Sequence, residues 1–287
     1  MVAPGFLTNF QVRRWLNGIE PAWTMLEYDS FRALHEEPSA SNRTIRLEPN
    51  LTDADLSGSA VVRTALMLLQ RASETGGLKL TATGNLSRGV IGQMIEVIEW
   101  PGLDRDELFA LNKVINEPDF LPVHFVRMLL QGTKLVRTGR GMLVPTRLGK
   151  EMLFPERHGA LQALLSHIAL WHLNLGYFDR NPVESWPQTH TGVVLWSLST
   201  AANDWLDRVT LTRLCTVPIP SVLESVWDLG SYAMDARILK PMVWFGLIEN
   251  RREGTTGATE GRLYRKTALF DRFLKFAVQI EGPATRH

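Results

Sequence analysis

The chain has 287 residues, 45% of them hydrophobic and 21% charged, and its formal net charge is +1. This composition is ordinary for a folded globular protein, and the length suits about two domains. The chain has a single cysteine, no apolar run long enough to span a membrane and no basic-then-apolar N-terminal segment. These features predict a bacterial cytoplasmic protein without disulfides, a cysteine-rich zinc site or a membrane span.

Residues 1–56 are acidic. Between Glu20 and Leu56 the sequence holds eight Asp and Glu residues against three Arg. Aromatic residues up to Phe31 suit one or two short helices, and the prolines at positions 38 and 49 mark a loop after them. We predict that residues 1–56 form an acidic N-terminal cap.

Residues 57–155 show the element order of one small module. Apolar residues recur at helical spacing from Val61 to Leu69 and stop before Gly76-Gly77. Leu78 and Leu80 alternate with polar residues, which predicts a short strand. Three further helices are predicted over residues 87–99, 104–115 and 121–131.

A β-hairpin is predicted directly after these helices. In "KLVRTGRGMLVPTRLGK" (Lys134–Lys150), two short apolar runs flank Thr138-Gly139-Arg140-Gly141. Glycines in a short loop between β-prone runs are typical of a hairpin. Helix, strand, helices and hairpin is the order of a winged helix, with the hairpin as its wing.

The same order recurs near the C-terminus. In our alignment of the two hairpin segments, Leu135 falls on Leu247, Leu143 on Leu263 and Thr146 on Thr267. The extra residues of the second copy, "EGTTGATEG", all fall in its loop, where insertions are tolerated. We therefore predict a mainly α fold with small β-hairpins: tandem winged-helix modules at 57–155 and 188–287, joined by a helical connector with a Trp-Pro loop at 156–187.

Three segments resemble a known bacterial family. "LTATGNL", "KVINEPDFLPVHFVRMLLQGTKLVRTGRGMLVPTRLGKEML" and "LWHLNLGYFDRNPVESWPQTHTGVVLWSLS" are similar to a family annotated through an open reading frame of a root-inducing plasmid. The resemblance covers roughly Val61 to Ser199. It implies a plasmid or mobile-element setting and carries over no catalytic residues.

The segment Leu121–Lys150 contains six Lys and Arg residues and no Asp or Glu. His124, Arg127, Gln131 and Lys134 have spacings that place them on one face of the predicted helix. We predict that this face meets base edges in the major groove of duplex DNA, as the helix before a wing does. The remaining cations are predicted to contact phosphates or the minor groove. The predicted nucleic-acid-binding residues are His124, Arg127, Gln131, Lys134, Arg137, Arg140, Arg147 and Lys150.

Two other interpretations of this segment stay open. A solvated amphipathic helix beside a hairpin would carry cations for solubility, but ordinary solvated faces mix both signs of charge. Alternatively, the protein is an interaction scaffold whose basic face binds an acidic protein partner, because fold does not determine function.

The corresponding helix of the second module has an apolar stripe formed by Ala236, Leu239 and Val243, and Pro241 interrupts it. This face is unsuited to base recognition, so we predict that it serves a homodimer, a protein partner or packing against the first module. No metal site, cofactor or catalytic residue is predicted, because the His spacings and the known nucleophile and phosphate-loop motifs do not match. The sequence thus predicts a DNA-binding accessory or regulatory factor of a plasmid or other mobile element, and no enzyme.

Overall fold

The computed structural model describes residues 9–111, 113–179, 181–225, 227–253 and 261–281. Helices dominate, with small antiparallel sheets between them. The described chain divides into two compact units. The central unit comprises residues 48–169 and 244–246, and the terminal unit comprises the described parts of 1–47, 170–243 and 247–287. None of the described helices is long and apolar enough to cross a membrane.

The α-helices of the described residues run in chain order as α1 (Asn9–Leu16), α2 (Tyr28–Ala33), α3 (Asp53–Leu56), α4 (Ala60–Glu74), α5 (Arg88–Val97), α6 (Arg105–Leu111), α7 (Leu121–Gly132), α8 (Arg147–Glu151), α9 (His158–His167), α10 (Gly176–Asp179), α11 (Thr191–Ala201), α12 (Arg208–Cys215), α13 (Pro220–Leu223), α14 (Leu229–Met234), α15 (Lys240–Trp244) and α16 (Ala268–Phe273). The strands are β1 (Ile45–Leu47), β2 (Leu78–Lys79), β3 (Val136–Gly139), β4 (Met142–Pro145), β5 (Leu206–Asp207), β6 (Ile248–Arg252), β7 (Arg262–Lys266) and β8 (Leu274–Phe276). Short 3₁₀ turns occur at Ala22–Met25, Glu117–Asp119, Pro155–Arg157 and Gln188–His190, and π-helical turns at Ile168–His172 and Asp235–Leu239.

In the central unit, the predicted helices and the short strand form where the sequence patterns place them. Ser59 caps α4 by accepting a hydrogen bond from the backbone N–H of Val62. The helix α7 is apolar on most of its circumference, and it packs against α4 with seven of its residues buried. The strands β2, β4 and β3 form an antiparallel sheet in that order, with Leu143 of β4 opposite Leu78 of β2.

The hairpin of the central unit closes with a two-residue turn. Gly139 pairs with Met142, which leaves Arg140 and Gly141 as the loop. Their φ angles are 51° and 72°, so both occupy the left-handed region. This is the backbone of a type I′ turn, the form that matches the twist of the strands. The loop is therefore shorter than the four-residue segment predicted from the sequence.

The terminal unit contains a second antiparallel sheet of three strands, in the order β5-β7-β6. Tyr264 of β7 is fully buried, and its hydroxyl donates a hydrogen bond to Asp235. Arg237, 1% exposed, contacts Asp179 and backbone carbonyls of residues 181–186. Its Nε lies 2.8 Å from Oδ2 of Asp179, and its Nη1 donates to the carbonyl of Val183 at 2.8 Å. Nη1 also contacts the carbonyls of Glu184 and Trp186, and Nη2 donates to the carbonyl of Asn181 at 3.1 Å.

The two hairpins share one hydrogen-bond pattern. The N–H and hydroxyl of Thr146 donate to the carbonyl of Leu135 at 2.9 and 3.2 Å, and Thr267 donates to Leu247 at 3.0 and 3.1 Å. These residue pairs are the ones aligned from the sequence. The strand register differs from that alignment at one position, since Tyr264 rather than Leu263 occupies the place of Leu143, facing the short edge strand. Residues 254–260 of the longer loop lie outside the described residues.

The N-terminal residues do not form a separate cap within the described chain. Ile45, Arg46 and Leu47 of β1 pair with Phe276, Lys275 and Leu274 of β8. Backbone hydrogen bonds also join Glu27 to Gln279 and Glu281 to Met25. The acidic segment up to Leu47 is thus part of the terminal unit, and no local sequence pattern reveals its distant partner strand.

Pro241 was predicted to interrupt the helix that precedes the second hairpin, and the interruption takes the form of a π-helical turn rather than a break. A proline inside a helix lacks an N–H and clashes with the carbonyl four residues earlier. Here the π-helical turn Asp235–Leu239 precedes α15, so the chain remains helical through the proline. Such wider turns adjust the hydrogen-bond ladder locally.

Candidate nucleic-acid interface

Five exposed cations cluster around the hairpin of the central unit. Arg137 lies on β3, Arg140 lies in the turn, and Arg147 and Lys150 lie on α8 directly after β4. Lys134 lies in the short connection between α7 and β3. We call these residues the basic surface: Lys134, Arg137, Arg140, Arg147 and Lys150. The hydroxyl of Thr146 donates a hydrogen bond to the carbonyl of Leu135, which fixes the start of α8 beside the strands. The same hydroxyl caps α8 by accepting a hydrogen bond from the N–H of Gly149.

Most of the basic surface has no acidic partner. Among the described residues, Lys134, Arg137, Arg140 and Lys150 form no ion pair, whereas Arg147 contacts Glu151 with 3.1 Å between its Nε and Oε1. The side chain of Arg147 is 95% exposed, so this pair contributes at most ~1 kcal/mol. The surface therefore retains a net positive charge that a polyanion can neutralise.

Two of these cations occupy left-handed backbone positions. Lys134 has φ 57° and Arg140 has φ 51°. Asn17 is the third non-glycine residue with positive φ in the described chain. Side chains with a Cβ are disfavoured in this region, and residues kept there cost roughly 1 kcal/mol or more. In the aligned second segment, the position of Lys134 is held by Gly246, whose φ is 73°. At positions 134 and 140, a lysine and an arginine thus stand where the backbone conformation favours glycine.

The polar side chains of α7 point into a buried cluster. Glu117 is completely buried, and its Oε1 lies 2.5 Å from Nε of Arg127 and 2.9 Å from Nδ1 of His124. Its Oε2 accepts a hydrogen bond from the N–H of Leu86 at 2.5 Å. Arg127 also donates to Oε1 of Gln131 at 3.0 Å. The cluster ties α7 to the connection between β2 and α5.

Glu117 is held ionised by its surroundings. Burial is the largest single influence on its pKa and opposes ionisation. The hydrogen bonds from His124 and the Leu86 N–H, together with the charge and hydrogen bond of Arg127, outweigh burial and lower the pKa of Glu117 below its ordinary value. A carboxylate in this position neutralises the charge of Arg127 inside the unit.

The prediction that His124 and Arg127 lie exposed toward a groove is wrong. Their side chains are each 11% exposed and are bound to Glu117. Gln131 is half-buried and bonded to Arg127. The acid-free segment considered from the sequence begins at Leu121, four residues after Glu117, so the partner was missed. Asn116 and Asp119 form a capping box around Glu117, and that pattern directly before α7 marks the turn that delivers the acid.

The second hairpin differs from the first in its charge pairing. Nη2 of Arg265 lies 2.7 Å from Oε1 of Glu249, and Nζ of Lys266 lies 2.9 Å from Oδ1 of Asp271. The guanidinium of Arg265 also lies over the ring of Trp205, 4.7 Å from its centroid. The cations of this hairpin are therefore partly neutralised within the terminal unit, unlike those of the basic surface.

The apolar stripe predicted as a partner or dimer interface is largely inaccessible. Leu239 is 0% and Val243 8% exposed, and Ala236 is half-buried. Side chains buried within the chain cannot present a surface to a second molecule. The prediction of an exposed interface is therefore wrong for Leu239 and Val243, because the apolar pattern arose from burial within the chain.

Comparison with known proteins gives one family model and one curated relative. The model of the Y4jL N-terminal domain matches residues 57–160. The uncharacterized protein y4jL of Sinorhizobium fredii (strain NBRC 101917 / NGR234) is 34% identical over 102 residues, which are 35% of this chain and 46% of the relative. The match thus spans less than half of the relative's length. No solved structure matches. The matched region contains both the basic surface and the Glu117 cluster.

Proposed function

We propose that this protein binds duplex DNA through the basic surface, as an accessory or regulatory factor of a plasmid or other mobile element. The observation that carries this proposal is the set of four exposed cations without acidic partners around one hairpin. Two of them occupy backbone positions that disfavour a side chain. A solubility role gives no reason to keep Lys and Arg at these positions.

We also propose that each hairpin is the wing of a winged-helix module. In both units a helix precedes a short edge strand, further helices follow, and the hairpin closes the sheet. The strand orders β2-β4-β3 and β5-β7-β6 are equivalent and support this assignment. The resemblance of Val61–Ser199 to a plasmid-associated family is the basis for the mobile-element setting.

The proposed contacts are to the DNA backbone rather than to base edges. His124 and Arg127 are withdrawn into the Glu117 cluster, so α7 offers no exposed pair of base-recognising side chains. Exposed Lys and Arg on a hairpin and a short helix suit phosphate oxygens, which fix position without reading sequence. The expected binding is therefore strongly dependent on salt and weakly dependent on sequence.

Binding of the full chain to labelled random duplex DNA across a salt series tests the proposal. Four phosphate contacts predict that log K falls with log [salt] with a slope of about −4. A shallow slope, or the absence of binding at low salt, contradicts the proposal. In that case the same cations are better explained as the docking surface for an acidic protein, and an acidic polypeptide added at the same ionic strength is the next probe.

A further inference from the structure

A groove lies beside the hairpin of the central unit, between β3, the end of β4 and α8. It is lined by Arg137, Pro145, Thr146, Arg147, Lys150, Glu151 and Phe154. Cations and apolar atoms therefore share one concave surface. The proposed duplex contacts use the same cations, but they leave the apolar part of the groove unexplained.

Phe154 supplies an accessible aromatic face in this groove. The residue is 57% exposed and lies three residues after the end of α8, with its N–H donating to the carbonyl of Glu151 at 3.3 Å. Among the described residues, no aromatic ring stacks on Phe154. A single exposed Phe is common on protein surfaces. An exposed Phe in one groove with three cations has the composition of a site for a stacked base with its phosphates.

The groove combines cations with an aromatic ring, and this combination suits a nucleotide better than an acidic peptide. Glu151 is the acid among the lining residues, and Arg147 contacts it, which leaves Arg137 and Lys150 for a phosphate. A phosphate needs charge but no ring, whereas a base needs a π-face but little charge. Both features occur here in adjoining parts of one groove.

We infer that this groove binds an unpaired nucleotide of a single-stranded segment adjoining the duplex, an inference that rests on the proposed DNA binding. The base stacks on Phe154, and the neighbouring phosphates contact Arg137 and Lys150. On such a DNA, Lys134 and Arg140, which lie outside the groove, hold the duplex backbone, and the groove with Arg137 and Lys150 takes up the strand where base pairing ends. A base within a continuous duplex is stacked on its neighbours, so it leaves Phe154 unused.

The test compares two DNA probes on the full chain at one salt concentration: a blunt duplex and the same duplex with a single-stranded thymidine overhang. We expect wild type to bind the overhang probe about tenfold more tightly, the effect of one stacked base. Phe154→Leu, which keeps an apolar side chain and removes the ring, should reduce this ratio to about one. Phe154→Trp should preserve the ratio, because it retains a π-face.

Phe109→Leu is the matched control, since Phe109 is 53% exposed on α6 of the same unit. It should leave the ratio at the wild-type value. Equal binding of the two probes by wild type, or an unchanged ratio in Phe154→Leu, overturns the inference while leaving duplex binding intact. Binding of the overhang probe alone overturns the duplex proposal and supports the stacking site by itself. Loss of the ratio in Phe109→Leu also overturns the assignment to Phe154.

Discussion

Oε1 of Glu117 lies 2.5 Å from Nε of Arg127, and both side chains are almost completely enclosed. The pair places inside the central unit an arginine that the sequence predicted to contact base edges. The exposed cations that remain lie on the hairpin, its flanking turn and α8.

Charge reversal at the hairpin should weaken DNA binding without unfolding the protein. Arg137 and Arg140 are exposed and unpaired among the described residues, so Arg137→Glu with Arg140→Glu removes two of the proposed phosphate contacts and adds repulsion. We expect an affinity loss of at least about tenfold and a smaller salt slope, measured by salt-titrated anisotropy. The double variant Arg32→Glu with Lys113→Glu changes net charge equally at exposed sites elsewhere. Equal losses in both variants would show that only net charge matters.

Arg140→Asn should raise the stability of the protein while weakening its binding to DNA. Asn-Gly is favoured in a type I′ turn, whereas Arg140 adopts φ 51° there. Relief of the left-handed strain should raise the free energy of unfolding by about 0.5–1 kcal/mol. Removal of the charge should reduce the salt slope of DNA binding by about one. Denaturant titration and anisotropy measure the two effects. A variant that is less stable than wild type would contradict the assignment of strain.

Glu117→Gln should destabilise the central unit rather than change DNA specificity. The substitution leaves the guanidinium of Arg127, 11% exposed, without its counterion. Removing one partner of a buried ion pair lowers the free energy of unfolding by about 3–5 kcal/mol. Denaturant unfolding of the full chain checks this. Glu156→Gln, at an exposed acid of the same unit, is the control and should be close to neutral.

Glu117 also makes the stability of the protein depend on pH, with a defined sign. The pKa of Glu117 is lower in the folded chain than its ordinary value of 4.5. Its contribution to stability is therefore fully present above about pH 4.5 and is lost as the pH falls through the folded-state pKa. Wild type should lose this contribution on acidification, and the pH profile of Glu117→Gln should lack it. Parallel profiles for the two proteins would contradict the assignment.

Arg237→Lys should be strongly destabilising although it conserves charge. A lysine offers three donors at one point, whereas Arg237 contacts Asp179 and several carbonyls of residues 181–186 at once. Carbonyls left without donors in the interior should cost about 3 kcal/mol in total. Thermal and denaturant unfolding measure the loss. The exposed Arg32→Lys serves as the comparison and should change stability by less than ~0.5 kcal/mol.

Local patterns in the sequence were sufficient for much of the fold. The helix α4, the strand β2 and the hairpin follow from apolar periodicity, glycine positions and capping residues, which act within a few residues of one another. The hydrogen bonds from Thr146 to the carbonyl of Leu135 recur between Thr267 and Leu247. The alignment of the two sequence segments therefore predicted equivalent positions. The prediction slipped by one residue at Leu143, because apolar character alone does not distinguish Leu263 from the buried Tyr264.

Long-range relationships were not accessible in the same way. The pairing of Ile45 with Phe276 joins residues that no local pattern connects. The exposure of a polar side chain depends on what its helix packs against, and for Arg127 the deciding group was Glu117 on the preceding turn. A polar stripe on an otherwise apolar helix therefore has two explanations, solvent or an internal counterion, and composition within the helix does not choose between them.

The antiparallel pairing of β1 with β8 affects how the protein is made. On the ribosome, the residues of β1 emerge long before those of β8, and the central unit's residues 48–169 are synthesised between them. The backbone groups of Ile45 to Leu47 thus lack their strand partner until the residues up to Phe276 have been synthesised. Premature termination before Leu274 should leave that edge open, a template for pairing with other nascent chains. Translation past Phe276 is thus a condition for pairing these two strands.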